Sequence, residues 1–297
     1  MPDILRTPEE SFADLPDYPF QPNYVNVNDV RLHYVDEGSG SETILCLHGE
    51  PSWSYLYRHM IPPLVDAGHR VVAPDLVGFG RSDKFAALED YTFDIHARLL
   101  NGMIEALDLH DVTIVVQDWG GLLGLNAVRV MPERFKRLVI MNTGLPTGEE
   151  PMPRAFKMWQ KASQEMVDMP VGDIVNGGTQ TELSPEIIAA YNAPFPDASY
   201  KMGARIFPML VPTATEMPGS AEMRATRKAL AAWNKPALVM FSDKDPITRA
   251  AGPFFRRLIP TANNQPEITI EGAGHFLQED KGPEIARHII EFIGRTS

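Results

Sequence analysis

The sequence predicts an α/β fold: a mostly parallel, eight-stranded sheet flanked by helices, with one helical cap inserted. Three observations carry this. Short β-branched and apolar runs alternate with segments of helical composition, the rhythm of a sheet built from strand–helix–strand crossovers. That rhythm stops between about residues 146 and 218, where Pro, Met and aromatic residues accumulate and no sheet strand can be read. It then resumes and runs to the end. With 297 residues, 44% of them hydrophobic, the chain can bury most of its surface around one core. We therefore expect residues 1–145 and 219–297 to form the main domain and residues 146–218 the cap.

The elements follow in order. Residues 1–22 are rich in Pro and Asp and are expected to wrap the surface. Tyr24–Val27 and Val30–Val35 alternate in polarity around Asn28-Asp29, a hairpin signal. Thr43–Leu47 reads as a strand, Tyr55–Val65 as a helix and Arg70–Pro74 as a strand. A helix over Phe93–Leu107 starts near Thr92. Val112–Val116, a run of β-branched residues, is a buried strand, and Leu122–Val130 is helical in composition. Arg137–Met141 is the sixth strand, and the cap follows it. The main domain then continues with a helix over Ala221–Ala232, a strand at Ala237–Phe241 and a helix over Ala251–Ile259. A last strand at Glu267–Ile270 and a closing helix over Pro283–Ile293 complete it.

Composition narrows the function classes. A formal charge of -12 argues against nucleic acid and anionic membrane as partners. The single cysteine, Cys46, lies inside an apolar strand and can form no internal disulfide, so it reads as a small core residue. The N-terminus lacks a basic stretch followed by an apolar one, no run approaches the length of a membrane span, and a cytoplasmic location is expected.

The chemistry gathers at Val116-Gln-Asp-Trp-Gly-Gly121. Asp118 falls on a sharp strand-to-helix turn, the layout of a nucleophile elbow, with Asp in place of Ser and Val116 in place of the first Gly. A serine needs a base before it can attack and suits acyl transfer. An aspartate is already ionised at neutral pH and can attack an sp³ carbon, leaving an alkyl ester that must then be hydrolysed. The competing interpretation is that Asp118 merely caps the helix that follows.

A carboxylate nucleophile needs a base, an acid behind that base and an oxyanion hole. His275, in Gly272-Ala-Gly-His-Phe276 beyond the last strand, is the candidate base. Asp243 and Asp245 follow the seventh strand and are both candidates for the acid, with Asp245 preferred. After the sixth strand the chain offers only Asn142, which cannot serve as an anion. The loop His48-Gly-Glu-Pro51 follows the third strand. The backbone N–H of Glu50, with that of Trp119 after the nucleophile, would form the oxyanion hole; Pro51 has no N–H. Trp119 also brings an indole N–H, a donor with no acceptor function, suited to a weakly basic leaving anion such as halide. Trp159, the only tryptophan of the cap, is the candidate second donor. Trp53 and Trp233 read as packing residues.

His48–Arg58, Asp75-Leu-Val-Gly-Phe-Gly-Arg-Ser-Asp-Lys84, Val116–Gly121, Gly272–Phe276 and the cap segment Ala193–Pro212 together resemble the haloalkane dehalogenases of the α/β-hydrolase fold. The similarity runs from about Tyr24 onward. Glu50, Asn142 and the Asp pair after strand seven resemble the branch that places its acid there and holds halide with two tryptophans. The resemblance implies Asp118 as nucleophile, His275 as base, Asp245 as acid, and Trp119 and Trp159 as halide donors. It implies no metal and no organic cofactor, a small apolar halogenated substrate, and a monomer or small homo-oligomer. Phe156, Phe195, Phe207 and Leu210 are candidate pocket residues, with core packing within the cap the equal alternative for each. An epoxide hydrolase of the same fold is the nearest rival, because Tyr191 and Tyr200 lie in the cap and could protonate an epoxide oxygen.

Overall fold

The computed structural model describes residues 2–297. Eight strands form the main sheet: β1 (Asn23–Val27), β2 (Val30–Glu37), β3 (Thr43–Leu47), β4 (Arg70–Pro74), β5 (Val112–Gln117), β6 (Phe135–Met141), β7 (Ala237–Ser242) and β8 (Ile268–Ile270). Their spatial order is β1-β2-β4-β3-β5-β6-β7-β8. β2 is antiparallel to both its neighbours, and every pairing from β4 to β8 is parallel. β1 and β2 form the expected hairpin. Asn28 and Asp29 both adopt positive φ, 49° and 65°, the turn conformation whose twist suits a two-residue hairpin. All residues of β3, β5 and β7 are buried, as central parallel strands covered on both faces must be.

Ten helices accompany the sheet among the described residues: α1 (Ile61–Asp66), α2 (Phe93–Ala106), α3 (Trp119–Val130), α4 (Arg154–Glu165), α5 (Val171–Gly177), α6 (Pro185–Asn192), α7 (Met202–Leu210), α8 (Ser220–Ala231), α9 (Gly252–Leu258) and α10 (Leu277–Gly294). The Thr92 hydroxyl caps α2 by accepting from Ile95 N at 3.1 Å. Helices α4 to α7 fill the stretch between β6 and α8, which contains no strand.

One expected element differs. The helix read over Tyr55–Val65 is a 3₁₀ turn at Ser54–Tyr57 followed by the short α1. Pro62 and Pro63 explain this, since proline fits only the first turn of a helix and cannot sit inside one begun at Tyr55. The closing helix also starts earlier than expected, at Leu277, with a break in helical geometry at Lys281 just before Pro283. The N-terminal segment is anchored: Ile4–Leu5 pairs with Lys84–Phe85, and Phe12 and Tyr18 are buried. Among the described residues no helix is long and apolar enough to cross a membrane.

Candidate active site

The carboxyl ends of β3, β5, β7 and β8 deliver Glu50, Asp118, Asp245 and His275 to one side of the sheet, where ligands bind in parallel sheets of this kind. Asp118 stands between β5 and α3 with φ 50° and ψ -125°, a conformation sparsely populated by residues with a Cβ. Its backbone is held there by the end of β6. Asp118 N donates to Asn142 O at 2.9 Å, and Thr143 Oγ1 donates to Asp118 O at 2.6 Å. The side chain makes no cap bond to α3. Asp118 thus occupies the N-cap position of α3 without capping it through its side chain. Its Oδ1 instead accepts from Glu50 N at 2.9 Å. Gly49 makes this approach feasible, because a Cβ there would fall on the Asp118 carboxylate.

His275 joins the two aspartates. Its Nδ1 lies 3.0 Å from Asp245 Oδ2 and its Nε2 3.5 Å from Asp118 Oδ2. Asp245 is fully buried, accepts from Ile247 N at 2.8 Å and from Thr248 Oγ1. Asp243 faces away: it accepts from Gly272 N at 2.8 Å and pairs with Lys244. Of the two acid candidates, only Asp245 touches the imidazole.

The electrostatics follow from this packing. Burial disfavours a charged His275, but the Asp245 and Asp118 carboxylates overcome that and raise its pKa to about 10. Burial would raise Asp245 in turn, yet the imidazolium, Thr248 and the Ile247 amide hold it down at about 2. Glu50 is different. Burial and the nearby Asp118 charge push its carboxyl well above the usual carboxylate range, with Trp159 opposing. Its Oε1 is buried without a protein partner among the described residues.

These groups face a cavity of about 750 Å³ between the carboxyl ends of the sheet and helices α4, α5 and α7, lined mainly by apolar side chains. Asp118, Glu50, His275, Trp119 and Trp159 all line it. Trp119 is held against Phe207 at 4.5 Å between ring centroids. Phe156 lines the cavity as expected, whereas Phe195, Phe207 and Leu210 pack into the core instead. Neither Tyr191 nor Tyr200 is among the lining residues. Tyr191 is buried and donates to Glu279, so its hydroxyl is turned away from the cavity.

The bonding roles of two buried amides escaped sequence reasoning. Asn142 donates to Ser242 Oγ at 2.7 Å, to Gly274 O at 3.0 Å and to His275 O at 3.1 Å, fastening the histidine loop to β6 and β7. Gln117, immediately before the nucleophile, places its amide nitrogen 3.2 Å from both Nε2 and O of His275. Their proximity to Asp118 and to the position of the alternative acid was the only signal available.

A family model described as the alpha/beta hydrolase fold matches residues 42–282. The chain thus belongs to that class, whose sheet order and elbow it displays. The relatives are more specific. The haloalkane dehalogenase of Psychrobacter cryohalolentis is 49% identical over 296 residues, covering 98% of each chain. That of Mycolicibacterium paratuberculosis is 46% identical over 295 residues, 97% of this chain and 98% of its own. Among solved structures, the tetrameric haloalkane dehalogenase DpaA from Paraglaciecola agarilytica NO2 superposes with a TM-score of 0.91 at 41% identity, over 96% of this chain and 97% of that one. This chain is a member of the haloalkane dehalogenase family.

Proposed function

We propose that this chain hydrolyses haloalkanes to an alcohol, a halide ion and a proton through a covalent ester on Asp118. The observation that carries the proposal is the placement of Asp118: a carboxylate on an elbow, oriented by Glu50 N at 2.9 Å, with His275 Nε2 at 3.5 Å, in an apolar cavity that two indoles also line. Substrate enters with its halogen toward the N–H groups of Trp119 and Trp159. An Asp118 oxygen attacks the carbon from the opposite side, the carbon–halogen bond breaks, and halide leaves with the electron pair. Donors positioned for the departing charge stabilise that transition state by a few kcal/mol each.

Ester formation removes one of the two carboxylates that hold a proton on His275. The imidazole then loses this proton to solvent and can act as a base. It takes a proton from water, whose oxygen attacks the ester carbonyl carbon. The amides of Glu50 and Trp119 receive the developing oxyanion. Collapse of the tetrahedral intermediate breaks the ester, the alkoxide takes the proton from His275 and departs as alcohol, and the proton left on Asp118 passes to His275, restoring the carboxylate. Asp245 keeps the imidazole in the tautomer that leaves Nε2 free. Residues 1–145 and 219–297 supply Asp118, Glu50, Trp119, Asp245 and His275, and residues 146–218 act as the cap that shapes the cavity and contributes Trp159.

His275→Gln separates the two half-reactions. Incubated with 1-bromohexane, this variant is expected to release one equivalent of bromide and to gain the mass of a hexyl group on the Asp118 peptide. A variant that stays unmodified while the native chain turns over would refute the two-step scheme.

A further inference from the structure

The loop bearing His275 is built against the cap as closely as against the sheet. His275 N donates to Gly178 O at 2.7 Å, and Phe276 N reaches the same oxygen at 3.3 Å. Gly178 follows α5 of the cap. A Cβ on Gly274 would fall on the Gly178 carbonyl, so the two chains touch backbone to backbone. One side chain closes this joint. Asp280, in the first turn of α10, accepts from Gly274 N at 2.8 Å through Oδ2. Its Oδ1 accepts from Thr181 N at 2.7 Å, and both oxygens lie 3.0 Å from Gln180 N. The neighbouring Glu279 repeats the pattern, binding the buried Arg58 of the main domain and Tyr191 of α6 in the cap.

We propose that Asp280 is a positioning residue: it clamps the cap loop 178–181 to the loop of His275, so that the aim of the base depends on the cap. The inference rests on the proposed two-step reaction and adds to it. Asp280 touches neither the nucleophile nor the cavity-lining indoles, and its bonds end one residue before the base. Loss of the clamp therefore slows hydrolysis of the ester and spares its formation. A displacement of about 1 Å of a catalytic group costs on the order of a hundredfold in rate.

The test compares D280A and D280N with the native chain by rapid quench with 1-bromohexane, following bromide release and the alkylated Asp118 peptide. In D280A the first-turnover bromide burst is expected to keep its rate within about threefold, while ester hydrolysis slows about a hundredfold, so alkylated protein accumulates at steady state. D280N keeps one accepting oxygen and is expected to fall between. Both rate constants belong to folded molecules, so partial unfolding lowers burst amplitude without altering their ratio, and D280N carries the test should D280A not fold. Equal slowing of both steps, or no change in either, would overturn the clamp. A native chain that releases no bromide would overturn the reaction itself, and the clamp with it.

Discussion

Replacing Asp245 by Asn tests the relay behind the base, and its outcome follows from three contacts. Ile247 N donates to Oδ1 at 2.8 Å, Thr248 Oγ1 donates to Oδ2, and His275 Nδ1 lies 3.0 Å from Oδ2. The Ile247 amide requires an oxygen opposite it. The new NH₂ group must then occupy the Oδ2 position and point a donor at Nδ1. That drives the imidazole proton to Nε2, the atom that has to accept a proton from water. The same exchange in Ser-His-Asp triads lowers kcat by about 10⁴, or roughly 5 kcal/mol at 1.36 kcal/mol per decade. In the proposed scheme Asp118 attacks without help from His275, so the loss should fall on ester hydrolysis alone. Stopped-flow bromide release should show a full burst at near-native rate, then a steady state lower by about 10³ to 10⁴. D243N, altering the carboxylate that faces Gly272 and Lys244, should behave as native. A D245N steady-state rate within tenfold of native would refute the tautomer reasoning, as would a collapse in D243N.

Three further outcomes are expected. If Trp119 holds the leaving halide as proposed, W119F removes that donor and the bromide burst itself should slow by about 10² to 10³; an unchanged burst would remove the indole from the halide site. Because the folded His275 pKa is raised to about 10, above about 6.5 for the unfolded chain, its stabilisation is fully present below pH 6.5 and is lost as pH rises toward 10. The stability advantage of the native chain over H275Q, measured by urea unfolding, should therefore shrink between pH 7 and pH 10; a constant or growing difference would contradict the ion-pair assignment. Finally, a cavity of about 750 Å³ leaves room well beyond the reacting carbon. Each added methylene buries about 0.8 kcal/mol of apolar transfer energy, so kcat/KM should rise up to about fourfold per carbon from 1-bromoethane toward 1-bromohexane. A maximum at two carbons would show that the cap excludes longer chains.

Much of this fold was legible because its signals are local. The β-branched run of β5 is followed within a few residues by the helical composition of α3, and that succession marks the turn at Asp118. The hairpin at Asn28-Asp29 and the cap of α2 at Thr92 are also decided by a few adjacent residues. What stayed hidden is long-range. Asn142 cannot act as an acid, yet its amide ties together residues 242, 274 and 275, a role visible only once β6, β7 and the histidine loop are neighbours. Asp280 lies about a hundred residues from the cap amides it accepts from, and no periodicity announces such a pairing. The cap phenylalanines show the same limit. Composition places them in the insertion, but only packing decides that Phe156 faces the cavity and Phe207 faces Trp119. At Tyr55–Val65 the deciding signal is again local, since Pro62-Pro63 marks a helix start rather than a helix interior.

The covalent role of Asp118 is tested most directly by a single turnover in water enriched in heavy oxygen, with protein in excess over 1-bromohexane. Water that attacks the ester carbonyl leaves its oxygen on the protein. The expected result is heavy oxygen in the Asp118 peptide and ordinary oxygen in the hexanol. Heavy oxygen in the hexanol, with an unlabelled Asp118 peptide, would mean that water displaces bromide directly and that no ester forms.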